Sequence, residues 1–155
     1  MKLGVLTAIF DGMSLEEVVD FASEHGLECL EVACWPVTGG AKRRYAGVSH
    51  IDVAKLDKNQ ADHICQYCEK KGVVISSLCY YPNMMDPDVE KRTQYIDHLY
   101  KLIDASAMLG VNMVTTFVGR DPSKNVSENL ELVKEIWPPI VKYAEHAGVK
   151  IGIEN

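Results

Sequence analysis

The sequence predicts an α/β fold, a parallel sheet with helices packed outside it. Two observations carry that reading. The first is a repeat in the glycines: His25-Gly26-Leu27, Lys71-Gly72-Val73, Leu109-Gly110-Val111 and Ala147-Gly148-Val149 each close a helical stretch and open a β-type run, at spacings of 46, 38 and 38 residues. Glycine suits that place because the residue just past a helix commonly turns left-handed, which glycine does without steric cost. The second is a set of helix-start signals between the glycines: Ser14 with Glu17, Asp57 with Gln60, and Asn125 with Glu128 all have the spacing of a capping box.

Taken in order, the first strand is expected at about Lys2 to Thr7. A helix follows Ser14, with Leu15, Val18, Val19 and Ala22 on one face. The second strand runs from about Glu28 to Ala33. After a long loop, a helix from Asp57 to near Lys71 leads into a third strand at about Val73 to Leu78. A helix from about Val89 to Leu109 repeats Ile96, Leu99, Leu102 and Ile103, and precedes a fourth strand at about Asn112 to Phe117. Pro138 and Pro139 lack amide donors, so the last helix is expected to kink or split in two, with Trp137 ending its first part. The fifth strand covers about Lys150 to Ile153. Strict alternation of strand and helix implies parallel pairing. It leaves two architectures open: a doubly wound five-stranded sheet, complete at 155 residues, or a (β/α)8 barrel, typically ~250 residues, a little over half made.

Composition narrows the class. The chain has 47% hydrophobic and 25% charged residues, which suits one globular domain over residues 1–155. No apolar run approaches the ~20 residues of a membrane helix. The stretch Met1 to Thr7 is too short for a signal peptide and reads as structure. Net charge is −6, and apart from Lys42, Arg43 and Arg44 the cations are scattered, so nucleic acid is not expected as a partner. Five cysteines in apolar segments, with no export signal, point to reduced thiols and a cytoplasmic location. Cys65 and Cys68 have a metal-like spacing but lie inside a helix without a second pair, which favours packing.

In both architectures chemistry collects at the carboxyl ends of the strands. The polar residues there are Thr7, Glu31 and Trp35, then Ser77, Tyr80, Tyr81 and Asn83, then Thr115, Thr116, Arg120 and Asp121, and finally Glu154. Counted from the repeat glycines, Val32, Leu78, Thr116 and Glu154 share one offset, and of these Glu154 alone ionises. A carboxylate buried at a strand end needs a cation, a donor or a metal beside it, and Asn155 offers a further polar contact. A solvated position at the chain end accounts for Glu154 equally well. Glu31 competes for the same role, since its alternation partners Cys29 and Ala33 are small and an interior position is open to it, but a solvent-facing or helix-paired glutamate is the favoured expectation. Arg120 and Asp121 could hold a polyol or phosphate, though an Asp-Pro turn explains Asp121 as well. Trp35, Tyr80 and Tyr81 could wall a sugar pocket by stacking. Neither a G-x-G-x-x-G nor a P-loop pattern follows any strand, and no Ser-His-Asp arrangement can be drawn. Of the five histidines, His50 is the one near a strand mouth, where a surface loop position is expected.

The runs "LGVLTAIFDG", "LEVACWP", "YYPNMMDPD", "LGVNMVTTFVGRD" and "VKYAEHAGVKIGIEN", in that order, resemble the sugar phosphate isomerase/epimerase proteins with a xylose isomerase-like TIM barrel. The resemblance spans essentially the whole chain and is most specific in the loops after the third and fourth strands and in the final "IEN". It implies an incomplete (β/α)8 barrel of five strands and four helices, strand first and strand last. It also implies a divalent metal, Mn, Mg, Co or Zn, at a site incomplete in this chain. Glu154 matches the family's strand 5 glutamate, a metal ligand and, in the ketose epimerase branch, an acid/base carboxylate. Trp35, Tyr80, Asn83, Thr116, Arg120 and Asp121 become substrate-binding candidates by position. The implied activity is sugar or sugar phosphate isomerisation or epimerisation through an enediolate, on a sugar or polyol. An inositol-type dehydratase or lyase on the same barrel, or an inactive half-barrel that requires a partner segment, are the alternatives. The nuclease branch places zinc-binding histidines after strands 3 and 4, where this chain has Tyr80, Asn83 and Gly119, so that branch is not expected. Open sheet edges would favour a homo-oligomer.

Overall fold

The structure, a computed structural model, describes residues 1–37 and 46–154. The Lys42 to Arg44 cluster and Asn155 lie outside the described residues. Five strands, β1 (Gly4–Leu6), β2 (Cys29–Ala33), β3 (Val74–Cys79), β4 (Met113–Phe117) and β5 (Lys150–Glu154), alternate with α1 (Leu15–Glu24), α2 (Lys58–Lys71), α3 (Val89–Met108) and α4 (Val126–His146). A 3-10 turn, Thr7–Ile9, follows β1. The sheet is parallel throughout, in the order β1-β2-β3-β4-β5. That order settles the architecture. A doubly wound sheet reverses direction at a switch point, whereas each strand here adds to the same side of its predecessor, as in a barrel wall.

The helix starts are as the sequence predicts. Ser14, Asp57 and Asn125 each accept a bond from the backbone three residues on, and Glu17, Gln60 and Glu128 reach back to the cap, so all three boxes are closed. Asp88 caps α3 instead by accepting from Glu90 N and Lys91 N. Of the two outcomes expected at the prolines, the split does not occur: α4 is a single helix that runs through Pro138 and Pro139 and does not end at Trp137. Lys134 and Glu135, whose carbonyls lose their helical donors to the prolines, are exposed, so water can take those donors' place. Buried side chains on either side anchor the helix: Trp137 donates from Nε1 to Val118 O at 3.2 Å, while Ile140 and Ala144 enter the core.

The main core lies between sheet and helices. Leu30 and Val32 of β2, Leu78 of β3 and Val114 of β4 meet Val18, Val19 and Ala22 of α1, Leu99, Leu102 and Ile103 of α3, and Ile140 of α4, all essentially inaccessible. Each such aliphatic side chain contributes roughly 1.5–3 kcal/mol when buried. The opposite face of the sheet, the barrel interior, carries a smaller cluster of Ala8, Ala33 and Cys79 with Leu6 and Tyr81 against it. Of the Cys65 and Cys68 pair, Cys68 packs inside and Cys65 is exposed.

Two local irregularities decide which side chains reach that interior. In β3, Leu30 pairs with Ile75 but Glu31 pairs with Ser77, so Ser76 is an extra residue, and its hydroxyl donates to Leu30 O at 3.0 Å. Before β4, Asn112 adopts φ 58°, an inserted left-handed step between Val111 and Val114, both of which face the helices. In β5 nothing interrupts the alternation: Val149 and Ile151 face the helices. The same count from the glycine therefore ends on opposite faces. Val32, Leu78 and Thr116 turn toward the helices, and Glu154 turns into the interior.

Candidate functional site

The interior face gathers polar side chains near the carboxyl ends of the strands. Glu31 is half-buried there and does not face solvent or pair with a helix as expected from sequence. Its Oε1 accepts from the Tyr81 hydroxyl and from Thr115 Oγ1, the latter at 3.1 Å. Burial, and next the bond to the Glu31 carboxylate, push the Tyr81 phenol far above its ordinary range, so Tyr81 remains a donor. Cys79, beside them, is pushed up by burial and then by Glu31, which leaves an unreactive thiol.

Tyr81 also meets Phe117, with ring centroids 4.8 Å apart and planes at 44°. Phe117 is the register partner of Glu154 on β5, and Thr115 pairs with Gly152, whose missing side chain would lie 3.1 Å from Thr115 Cγ2. Thus Glu31 on β2, Tyr81 just past the end of β3, Phe117 on β4 and Glu154 on β5 follow one another across one face of the sheet. Glu154 is exposed at its strand end.

The other predicted residues go elsewhere. Tyr80 is 1% exposed and is sandwiched on the helix side between Trp35 (4.9 Å) and His98 (4.6 Å), so it belongs to the core with Trp35 against it. Thr116 is fully buried and faces the helices. Asn83 ties two loops together, donating from Nδ2 to Arg120 O at 2.8 Å and accepting at Oδ1 from Arg120 N (2.8 Å) and Met85 N (3.2 Å). Asp121 accepts from Ser123 N (2.9 Å) and Ser123 Oγ (2.6 Å), and those bonds hold its carboxyl below the usual range. It shapes the Asp-Pro turn. Arg120 is exposed on the same loop. The structure therefore brings Glu154 together with Tyr81, and not with the other substrate candidates. Phe117 was missed because its facing depends on the Asn112 insertion before β4, which alternation within one strand does not reveal; Glu31 stood among the strand-end polar residues, and Leu30 and Val32 on the helix side turn it to the interior.

His50 links two loops at the same end. The bond pattern fixes its tautomer: Nε2–H donates to Phe10 O (3.3 Å), Nδ1 accepts from Thr7 Oγ1 (3.0 Å), and Thr7 Oγ1 accepts from Ala33 N (2.9 Å). Burial lowers its pKa, outweighing the Phe10 carbonyl and Asp11. It is therefore a half-buried strut and not the surface histidine expected.

Glu154 is the sort of oxygen ligand that a hard divalent ion takes. Among the described residues, however, no three His, Cys, Asp or Glu side chains come together to hold a metal.

One-way winding, a small-residue interior and a carboxylate at the end of the fifth strand define part of a (β/α)8 barrel with its polar groups at the carboxyl-terminal mouth. A family model for the xylose isomerase-like TIM barrel matches residues 19–155, and the chain belongs to that family. Among solved structures it is similar to a D-psicose 3-epimerase crystallised with D-tagatose, from Clostridium cellulolyticum H10, at 17% identity and TM-score 0.71, covering 99% of this chain and 52% of that one. It is similar to a probable 3-DHS dehydratase, AsbF, of Bacillus anthracis, at 15% identity and TM-score 0.71, with 99% and 52% covered. A third is the IOLI protein with a bound zinc atom, at 16% identity and TM-score 0.68, with 99% and 51% covered. The chain spans about half the length of these structures. Among curated proteins none matches it. Among the described residues no helix is long and apolar enough to cross a membrane.

Proposed function

We propose that this chain supplies the strand 5 carboxylate, and one wall of the site, of a metal-dependent isomerase or epimerase of a sugar or sugar phosphate. The observation that supports it is the position of Glu154: at the carboxyl end of β5, turned into the interior and in register with Phe117. A carboxylate there can take the proton from a carbon beside a substrate carbonyl and return it to a neighbouring position or the other face, through an enediolate. A divalent metal, when bound, would polarise that carbonyl, with Glu154 as one ligand. The ligand set among the described residues is incomplete, so no turnover is expected from these 155 residues alone.

The test joins this chain to the part of the Clostridium epimerase that it does not cover. With Mn²⁺ present, deuterium entry from solvent into the C–H beside the carbonyl of D-tagatose is followed by NMR. A folded fusion is expected to exchange, and Glu154→Gln to slow it by about 10²–10⁴. Exchange at an unchanged rate in folded Glu154→Gln would overturn the assignment. Elimination of water in place of exchange would favour the dehydratase reading instead.

A further inference from the structure

We infer that residues 48–51 form a latch released by acid: neutral His50 and His98 clamp this segment and the exit of β2 together, and protonation of the two rings lets the corner open without unfolding the sheet. Beyond β2 the chain folds back on itself. Cys34 and Ser49 form an antiparallel bridge, Trp35 N donates to Val48 O at 3.3 Å, and His50 N donates to Ala33 O at 2.9 Å. On the β1 side of this bridge stands His50, bonded to Thr7 Oγ1 and Phe10 O. On the α3 side stands His98, whose Nε2–H donates to Cys34 O at 2.8 Å and whose side chain is buried.

A second proton is costly on either ring. On His50 it would sit on Nδ1, facing the Thr7 hydroxyl, which already accepts from Ala33 N and would lose the acceptor for its own hydrogen in a site with no exposed surface. On His98 it would charge a buried ring packed edge-on against Tyr80, 4.6 Å between centroids. The surrounding groups do not offset this. Asp11, from the segment after β1, faces His50, and Asp52, just past the latch, faces His98; both favour the proton. Lys101 of α3 opposes it at His98, Tyr80 and Cys34 are kept neutral by burial, and burial outweighs every charge at both rings. Release of the latch reaches the interior face as well. Both backbone groups of Ala33, two residues from Glu31, are tied to Thr7 and His50, so opening loosens the end of the strand that carries Glu31.

The test is amide hydrogen exchange of the 155-residue chain, read residue by residue by NMR from pH 7 to 5 and corrected for the pH dependence of free-peptide exchange. The closed latch is complete above about pH 6.5; below it, an opening that takes up one proton per ring grows by up to about tenfold per pH unit for each histidine, and levels off under the closed-state pKa. The Trp35 and His50 amides are expected to lose protection in this way, while the Leu102 amide, inside α3, loses much less. His50→Gln keeps a donor and an acceptor but takes up no proton, and is expected to halve the slope of log protection against pH; adding His98→Gln should flatten it. Equal losses at Trp35, His50 and Leu102 would mean that acid acts on the whole fold, and would overturn the latch. The native chain carries a second check that needs no variant: ring-proton signals of His50 and His98 are expected to titrate below that of the exposed His63, and titration alongside it would refute the clamp.

Discussion

Gly119 shows how far a single position can be specified by its neighbours. Its φ is +81°, and a Cβ there would meet Asn83 Oδ1 and lie 2.8 Å from both Met84 N and Met85 N. Gly26 has nearly the same φ, +72°, with nothing within 4 Å of the added carbon. Gly26→Ala is expected to cost about 1 kcal/mol, the strain of the left-handed backbone alone. Gly119→Ala, which also meets rigid backbone, should cost roughly 2–4 kcal/mol. Urea unfolding of the two variants checks the difference; equal losses would mean that the Asn83 clamp gives way freely. His50 makes a prediction of pH dependence. Burial depresses its native pKa below the unfolded value of about 6.5, so through that interval the unfolded chain binds more protons and stability rises with pH. The contribution is complete above about pH 6.5 and is lost as pH falls through the native pKa. His98, buried against Cys34 O at 2.8 Å, is shifted the same way. Melting temperatures from pH 5 to 7 are expected to climb in the native chain, and to climb less in His50→Gln, which cannot take up the proton.

At the level of elements, the βα order, the capping boxes and the helix-side apolar stripes were legible in the sequence because each rests on spacing within one segment. The facing of strand residues was not. Tyr81 and Phe117 reach the interior through one extra residue in β3 and one left-handed residue before β4, neither of which a count along a single strand reveals. Trp35, Tyr80 and Thr116 lay near strand ends as expected, but their place is in the packing against the helices. Asn112→Val is expected to destabilise by about 1–2 kcal/mol, because a β-branched residue tolerates φ 58° poorly, whereas Asn112→Gly should be close to neutral. If Val is tolerated, the insertion can be absorbed by sliding β4, and the interior pairing of Phe117 with Glu154 should then change in NMR contacts. The prolines of α4 err in the opposite direction: of the kink or split that the local rule predicts, the split is absent, and Trp137 and Ile140 on either side are packed into the core. Pro138→Ala restores an amide donor at an exposed position and is expected to stabilise the chain by up to about 3 kcal/mol.

On the scale of the whole molecule, the five-strand wall has two ends, and they are unequal. At the β1 end Leu3 is 66% accessible, beside a strand of 3 residues, and Met1 and Ile9 are exposed as well. At the other end, β5 pairs only with β4 among the described residues, Ile153 is 47% exposed, and α4 presents Val141 at 41%. Val133, Trp137, Pro138 and Val141 line a groove of about 550 Å³ along that helix. A strand edge with free backbone groups, bordered by an apolar helix face, is the more adhesive of the two ends. The 155 residues taken by themselves are therefore expected to self-associate with rising concentration through the β5 and α4 end, despite a net charge of −6 that opposes it. Sedimentation velocity should show a mass that grows with concentration. Ile153→Lys with Val141→Glu should hold it near 17.3 kDa, while Leu3→Lys should leave association unchanged. Association that persists in the double variant and disappears in Leu3→Lys would place the contact at β1 and refute this assignment of the adhesive edge.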